Sequence, residues 1–183
     1  MNKGSEATVA HNAKNHWCDL NNQLIKKPIK QKTMKTYKNQ ISQYSLKKNK
    51  TDINSVKIMS SKDASKYARQ FYFDDIDIFE SFFVVMLNNA NNTIGYVKIS
   101  QGGITGTVVD VRIVAKYCVD SLAVACILVH NHPSGTIKPS QSDRDMTNKL
   151  KKGLEFLDVK VLDHIILSPE ENEYFSFGDE GLM

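Results

Sequence analysis

The stretch that most restricts the fold is "LAVACILV" at 122–129, which runs without a break into "HNHPSG" at 130–135. Its end, "VACILVH", reads as a strand. Pro133 removes a backbone donor there and, with Ser134 and Gly135 behind it, stops the strand. This is the longest apolar run of the chain, and it is far short of the roughly 20 residues that span a bilayer. No membrane role is expected.

The segments around that strand alternate in type. "SSKDASKYARQFYF" starts at Ser60 or Ser61 as an N-cap and reads as a helix. "ESFFVVMLNN" reads as a buried strand, and the alternating "TIGYVKIS" pairs with it as a hairpin across "NNANN". "GGITG" supplies a turn. "VDVRIVAKYCVDSLA" carries Val111, Val114, Cys118 and Leu122 at helical spacing, and "SDRDMTNKLKKGLEFLD" puts Met146, Leu150, Leu154 and Leu157 on one helical face. "KVLDHIILS" and "YFSF" close the chain as two strands. The expected fold is an α/β or α+β sandwich, a mixed sheet flanked by helices.

That domain is expected over 56–183. Residues 1–55 read as a basic, Lys- and Asn-rich extension with one short helix around "TMKTYKNQISQY". The first 60 residues hold twelve lysines against three acids, although the whole chain carries only +4. Such an arm suits either a solvated tail or electrostatic contact with nucleic acid, without the arginines and aromatics that base recognition favours. No signal-peptide h-region is visible in "MNKGSEATVAHNAKNHW". Cys18, Cys118 and Cys126 leave an odd cysteine and show no close spacing, which predicts free thiols and a cytoplasmic location.

Residues i and i+2 of a strand point to one side, so His130 and His132 can aim both imidazoles at one point while Asn131 faces away. The loop "SGTIKP" returns the chain, Ser140 opens the next helix, and Asp143 falls in its first turn. Two histidines and an aspartate, with a fourth position for water, form the donor set of a catalytic zinc ion. Taken alone, Asp143 reads as a helix cap, because Ser140-x-x-Asp143 has the form of a capping box. Its occurrence with both histidines and Pro-Ser-Gly favours the metal. The letters HNH do not indicate an HNH nuclease, which spreads those residues over a ββα unit.

His-x-His, ten residues and Asp, with Pro-Ser-Gly after the second His and Ser three before the Asp, resembles the JAMM metalloprotease signature. "HNHPSG", "LDHIIL" and "YFSF" followed by "EGL" resemble the bacterial RadC proteins, and "ISQGGITGTVVD" resembles their short Bacteroidetes versions. The resemblance covers about residues 60–183. It implies a JAB/MPN fold of cytidine-deaminase-like type and one zinc ion per chain on His130, His132 and Asp143. It also implies a general base at Glu80 in "DIFESFFVVML", a position the residues alone do not separate from Asp74, Asp75 and Asp77. The oxyanion role of the motif serine falls on Ser140, which reads equally well as a cap only. The implied reaction is hydrolysis of a peptide or isopeptide bond in a peptide or protein-conjugate substrate. His164 reads as structural or as a neighbour of the ligands, with Asp163 to orient it. Cys118 and Cys126 read as core residues, and Gly102-Gly103 as a turn.

Two features depart from the RadC pattern. Residues 1–55 contain nothing like a helix-hairpin-helix, and "VDVRI" stands where "HPRE" is common. The lysine-rich arm, with the RadC family's link to repair and mobile DNA, makes a DNA-repair or mobile-element accessory protein that binds nucleic acid through the N-terminal lysines the alternative to the hydrolase. An MPN scaffold is a weaker one, because scaffolds usually lack the ligands. The oligomeric state is not legible.

Overall fold

The computed structural model describes residues 47–72, 75–102 and 108–183. The short helix expected near 33–44, Cys18, Asp74 and Gly103 lie outside them. Three helices and five strands follow in the order α1 (Ser61–Arg69), β1 (Ser81–Leu87), β2 (Thr93–Gln101), α2 (Val111–Asp120), β3 (Ala125–Asn131), α3 (Gln141–Glu155), β4 (Lys160–Leu167) and β5 (Tyr174–Ser176). The sheet order is β2-β1-β3-β4-β5. β3 and β4 run parallel and the other pairs antiparallel, so the expected mixed sheet is present.

Every residue of β1 and β3 is buried, because helices cover both sides of these strands. On one face Phe83, Val85, Leu87, Ile127, Val129, Ile165 and Leu167 pack with Ala64, Tyr67 and Ala68 of α1. On the other face Phe82, Val84, Met86, Cys126, Leu128 and Val161 pack with Val114 and Cys118 of α2 and Leu150 and Leu154 of α3. A Cβ at Gly153 would lie 2.8 Å from Val111 Cγ1, so the crossing of α2 and α3 requires a residue without a side chain there. Cys118 and Cys126 are buried free thiols, as expected, and both lie in the core cluster that joins α2 to β3.

Two of the expected core positions are not in the core. Leu122 is 84% exposed and Leu157 44% exposed. Both lie past the last residue of their helices, and Leu122 has turned to a φ of 56°. The helical spacing of apolar residues thus continues in sequence beyond the point where the backbone leaves the helix.

β4 contains an irregularity that matters for the site. Cys126 pairs with Val161 but Ile127 pairs with Asp163, so one extra residue, Leu162, is accommodated between them. Such a bulge reverses the alternation beyond it. His164 therefore faces the α2–α3 side with Leu128, and Asp163 faces the α1 side with Ile127.

Candidate metal centre

The site forms at the carboxyl end of the parallel pair β3–β4, where α3 begins, a position open α/β sheets commonly use for ligands. His130 is the penultimate residue of β3 and is fully buried on the α2–α3 face. His132 follows the strand by one residue and is half-buried. Its main-chain N–H donates to Leu167 O at 3.0 Å, which keeps the chain extended for one residue beyond β3. The chain then turns at Gly135, whose N–H donates to His132 O and whose φ of 80° suits glycine.

Asp143 reaches the same point from the first turn of α3. Ser140 is the N-cap: Asp143 N donates to its Oγ, and Ser140 N donates back to Asp143 Oδ2 at 2.7 Å. The Ser140 hydroxyl also donates to Asp143 Oδ2 at 2.6 Å. The capping box read from the sequence is therefore real, and it coexists with placement of Asp143 beside the histidines. Asp143 Oδ1 lies 3.3 Å from His130 Nε2, Oδ2 lies 3.7 Å from His132 Nε2, and the two Nε2 atoms are 3.0 Å apart. Burial pushes the Asp143 carboxyl up, but His130 and the Ser140 hydrogen bonds outweigh it and hold the group ionised well below the usual carboxylate range.

Ligand atoms of His130, His132 and Asp143 all lie within 4.8 Å of one another, so the three can hold a metal ion. Their hydrogen-bond partners support that capacity. His132 Nδ1 is 2.6 Å from the carbonyl of Thr136. A carbonyl only accepts, so this nitrogen carries a proton, and Nε2 is the nitrogen that the ring can offer a metal. A nitrogen facing a second ring nitrogen and a carboxylate suits a shared cation.

Glu80 immediately precedes β1 and is half-buried. The β1–β3 ladder begins where Phe82 pairs with His130, two residues after Glu80. Asn131 faces the other way from His130, as expected, but it is not idle. Its Oδ1 accepts from Ser81 N at 2.8 Å, and its Nδ2 donates to the carbonyls of Ile76 and Phe79. The side chain between the two histidines thereby anchors the turn that leads into β1.

His164 is fully buried, with its Nε2 at 2.8 Å from His130 Nδ1 and its Nδ1 at 2.6 Å from Thr147 Oγ1. It is a neighbour of the ligands, on the side of His130 away from the cluster. Burial, and then the nearby His130, push its pKa well below the usual value, so the ring is neutral. Asp163 does not orient this ring. Its carboxylate accepts from Ser176 Oγ and the main-chain N–H groups of Gly178 and His164, on the far side of the bulge. The roles of Thr147 and Asn131 were not read from the sequence. A threonine four residues after a ligand on the same helix face was the available signal for Thr147.

A family model described as "RadC-like JAB domain" matches residues 58–182, which include the whole sheet, the three helices and the His130–His132–Asp143 cluster. A UPF0758 protein of Flavobacterium johnsoniae is 47% identical over 127 residues, which are 69% of this chain and 54% of that protein. A UPF0758 protein of Porphyromonas gingivalis is 40% identical over 104 residues, 57% of this chain and 45% of that one. A third, from Chlorobium chlorochromatii, is 36% identical over 127 residues, 69% and 55% of the two chains. The chain spans about half the length of the curated relatives it matches. A fold with this sheet and this cluster, matched over most of its length, places the chain in the RadC-like JAB domain family.

Proposed function

We propose that the domain is a zinc-dependent amide hydrolase of JAMM type, cleaving a peptide or isopeptide bond. The observation that carries this reading is the convergence of His130 Nε2, His132 Nε2 and the Asp143 carboxylate on one point. His130, His132 and Asp143 would hold one zinc ion per chain and leave a fourth position open. When bound, zinc supplies Lewis acidity that lets an attacking water lose a proton near neutral pH.

Glu80, immediately before β1, is the base in this scheme. Its carboxylate takes the proton from the attacking water and passes it to the nitrogen of the leaving amine. Ser140 stands exposed at the mouth of the cluster, and its hydroxyl can turn from Asp143 to the oxygen on which negative charge develops. Buried Asn131, between the two histidines, holds the turn before β1 in which Glu80 lies.

The test is zinc content by elemental analysis on wild type and on His130→Ala/His132→Ala, with melting curves for both. One zinc per wild-type chain, lost in a variant that stays folded, is the expected result. Cleavage from a panel of peptide and isopeptide substrates should then disappear in Glu80→Gln while zinc is retained. A zinc-replenished wild type that holds no metal would refute the reading.

The charge asymmetry favours a second, compatible role. The twelve lysines of the first 60 residues would bring the enzyme to nucleic acid. Salt-sensitive DNA binding that vanishes on deleting residues 1–55 is expected, and binding that survives the deletion would reject it.

A further inference from the structure

We propose that Thr147 and His164 form a buried relay that fixes the tautomer and orientation of His130, so that both are positioning residues for the metal. The inference rests on the metal reading of the cluster. Its starting point is a main-chain carbonyl. Asp143 O can only accept, and Thr147 Oγ1 lies 2.6 Å from it, so the threonine hydroxyl donates there. Thr147 Oγ1 has then spent its one proton and must accept from His164 Nδ1, 2.6 Å away.

A fully buried imidazole with no carboxylate partner is neutral, so a proton on Nδ1 leaves His164 Nε2 bare. Facing that lone pair at 2.8 Å, His130 Nδ1 must carry its own proton. With its proton fixed on Nδ1, Nε2 is the one nitrogen that His130 can offer a metal, and it points at Asp143 Oδ1 and His132 Nε2. Each assignment is forced by the one before it. The chain begins on the backbone of one candidate ligand and ends on the ring of another.

Two features indicate that the relay is built rather than incidental. The bulge at Leu162 is what turns His164 to the face of His130; an unbroken alternation from Val161 would have put Asp163 there. The two rings are also held in shape by aromatic neighbours. His164 stacks on Phe177 at 4.8 Å, and Phe82 lies 6.1 Å from His130 and 5.7 Å from His164 between ring centres. Such outer partners orient a ligand ring and raise its basicity, and their loss typically weakens metal binding 10–100-fold.

Ring packing and hydrogen bonding separate in two variants. His164→Phe keeps a ring against Phe177 but offers His130 no acceptor. His164→Gln loses the ring but can set its Oε1 where Nε2 stood. Zinc affinity by chelator competition is expected to fall roughly 10–100-fold in His164→Phe and to recover most of that in His164→Gln. Imidazole nitrogen spectra of the metal-free wild type at pH 8 should show His130 protonated on Nδ1. The relay is overturned if His164→Phe binds zinc like wild type, if His164→Gln binds as weakly as His164→Phe, or if His130 carries its proton on Nε2. Wild type that takes up no zinc would instead refute the metal reading, and the nitrogen spectra would still decide the relay.

Discussion

Replacing Asn131 with Ala should separate the two jobs of the β3 end. The side chain is fully buried and uses all three of its chosen bonds on the backbone of 76–81. Removing it leaves the buried Ser81 N–H without its acceptor, which costs about 1–3 kcal/mol. Ile76 and Phe79 are not buried residues, so with water as the replacement donor each carbonyl adds only about 0.5 kcal/mol. The sum is about 2–4 kcal/mol, or roughly 8–15 °C in melting temperature for a domain of this size. Zinc affinity should stay within about twofold, because Asn131 points to the face opposite the imidazoles. Urea denaturation gives the stability change, and hydrogen exchange reads the Ser81 amide directly. Protection at Ser81 should collapse in the variant while the β1 amides that bond to β3 keep theirs. An equally protected Ser81 amide, or zinc binding lost as in a His130→Ala variant, would refute the division of labour. Asn131→Asp is expected to be no better than Ala, since it sets a carboxylate against two carbonyl oxygens.

Two further outcomes follow from the same contacts. Ser140→Ala removes the N-cap acceptor and should cost about 1 kcal/mol in the metal-free protein. Ser140 N still holds Asp143, so zinc affinity should fall little, and turnover falling further than zinc occupancy would assign the hydroxyl to the oxyanion; equal falls would leave it as a cap only. Burial raises the Asp163 carboxyl above 3.8, against the downward pull of hydrogen bonds from Ser176, Gly178 and His164. The native state then holds this proton to higher pH than the unfolded chain, so the Asp163 contribution is fully present below 3.8 and is lost as pH rises through the native value. The stability difference between wild type and Asp163→Asn should therefore change between pH 3.8 and neutrality, and a constant difference across that range would reject the raised value.

The local part of the site was legible because its geometry is local. His130, His132 and Asp143 lie within fourteen residues, and a period of two plus one helical turn is enough to bring them together. The alternation also gave the correct side for Asn131, but not its task, because its partners stand some 50 residues upstream. Glu80 could be chosen from among its acidic neighbours only through family resemblance, because an acid before a strand is commonplace. His164 was read as structural or as a neighbour of the ligands, but the face it takes was beyond pattern reading for a different cause. "KVLDHIIL" alternates plausibly in either register, and only the pairing with β3 shows that Leu162 is bulged out. Leu122 and Leu157 mark the opposite failure, a periodic signal that outlasts its helix.

The paired ends of β1 and β3 therefore account for more than metal capture. Every second residue of "HNH" faces α3 and can hold a cation, while the residue between them reaches through the other face to the backbone before β1. A one-residue slip between β1 and β3 would put Asn131 among the ligands and turn both imidazoles towards α1. That outcome is blocked twice, by the apolar sets that bury both faces of both strands and by Asn131 itself, whose three bonds fit only the observed register. The side chain that takes no part in holding a metal thus helps to specify which two side chains can.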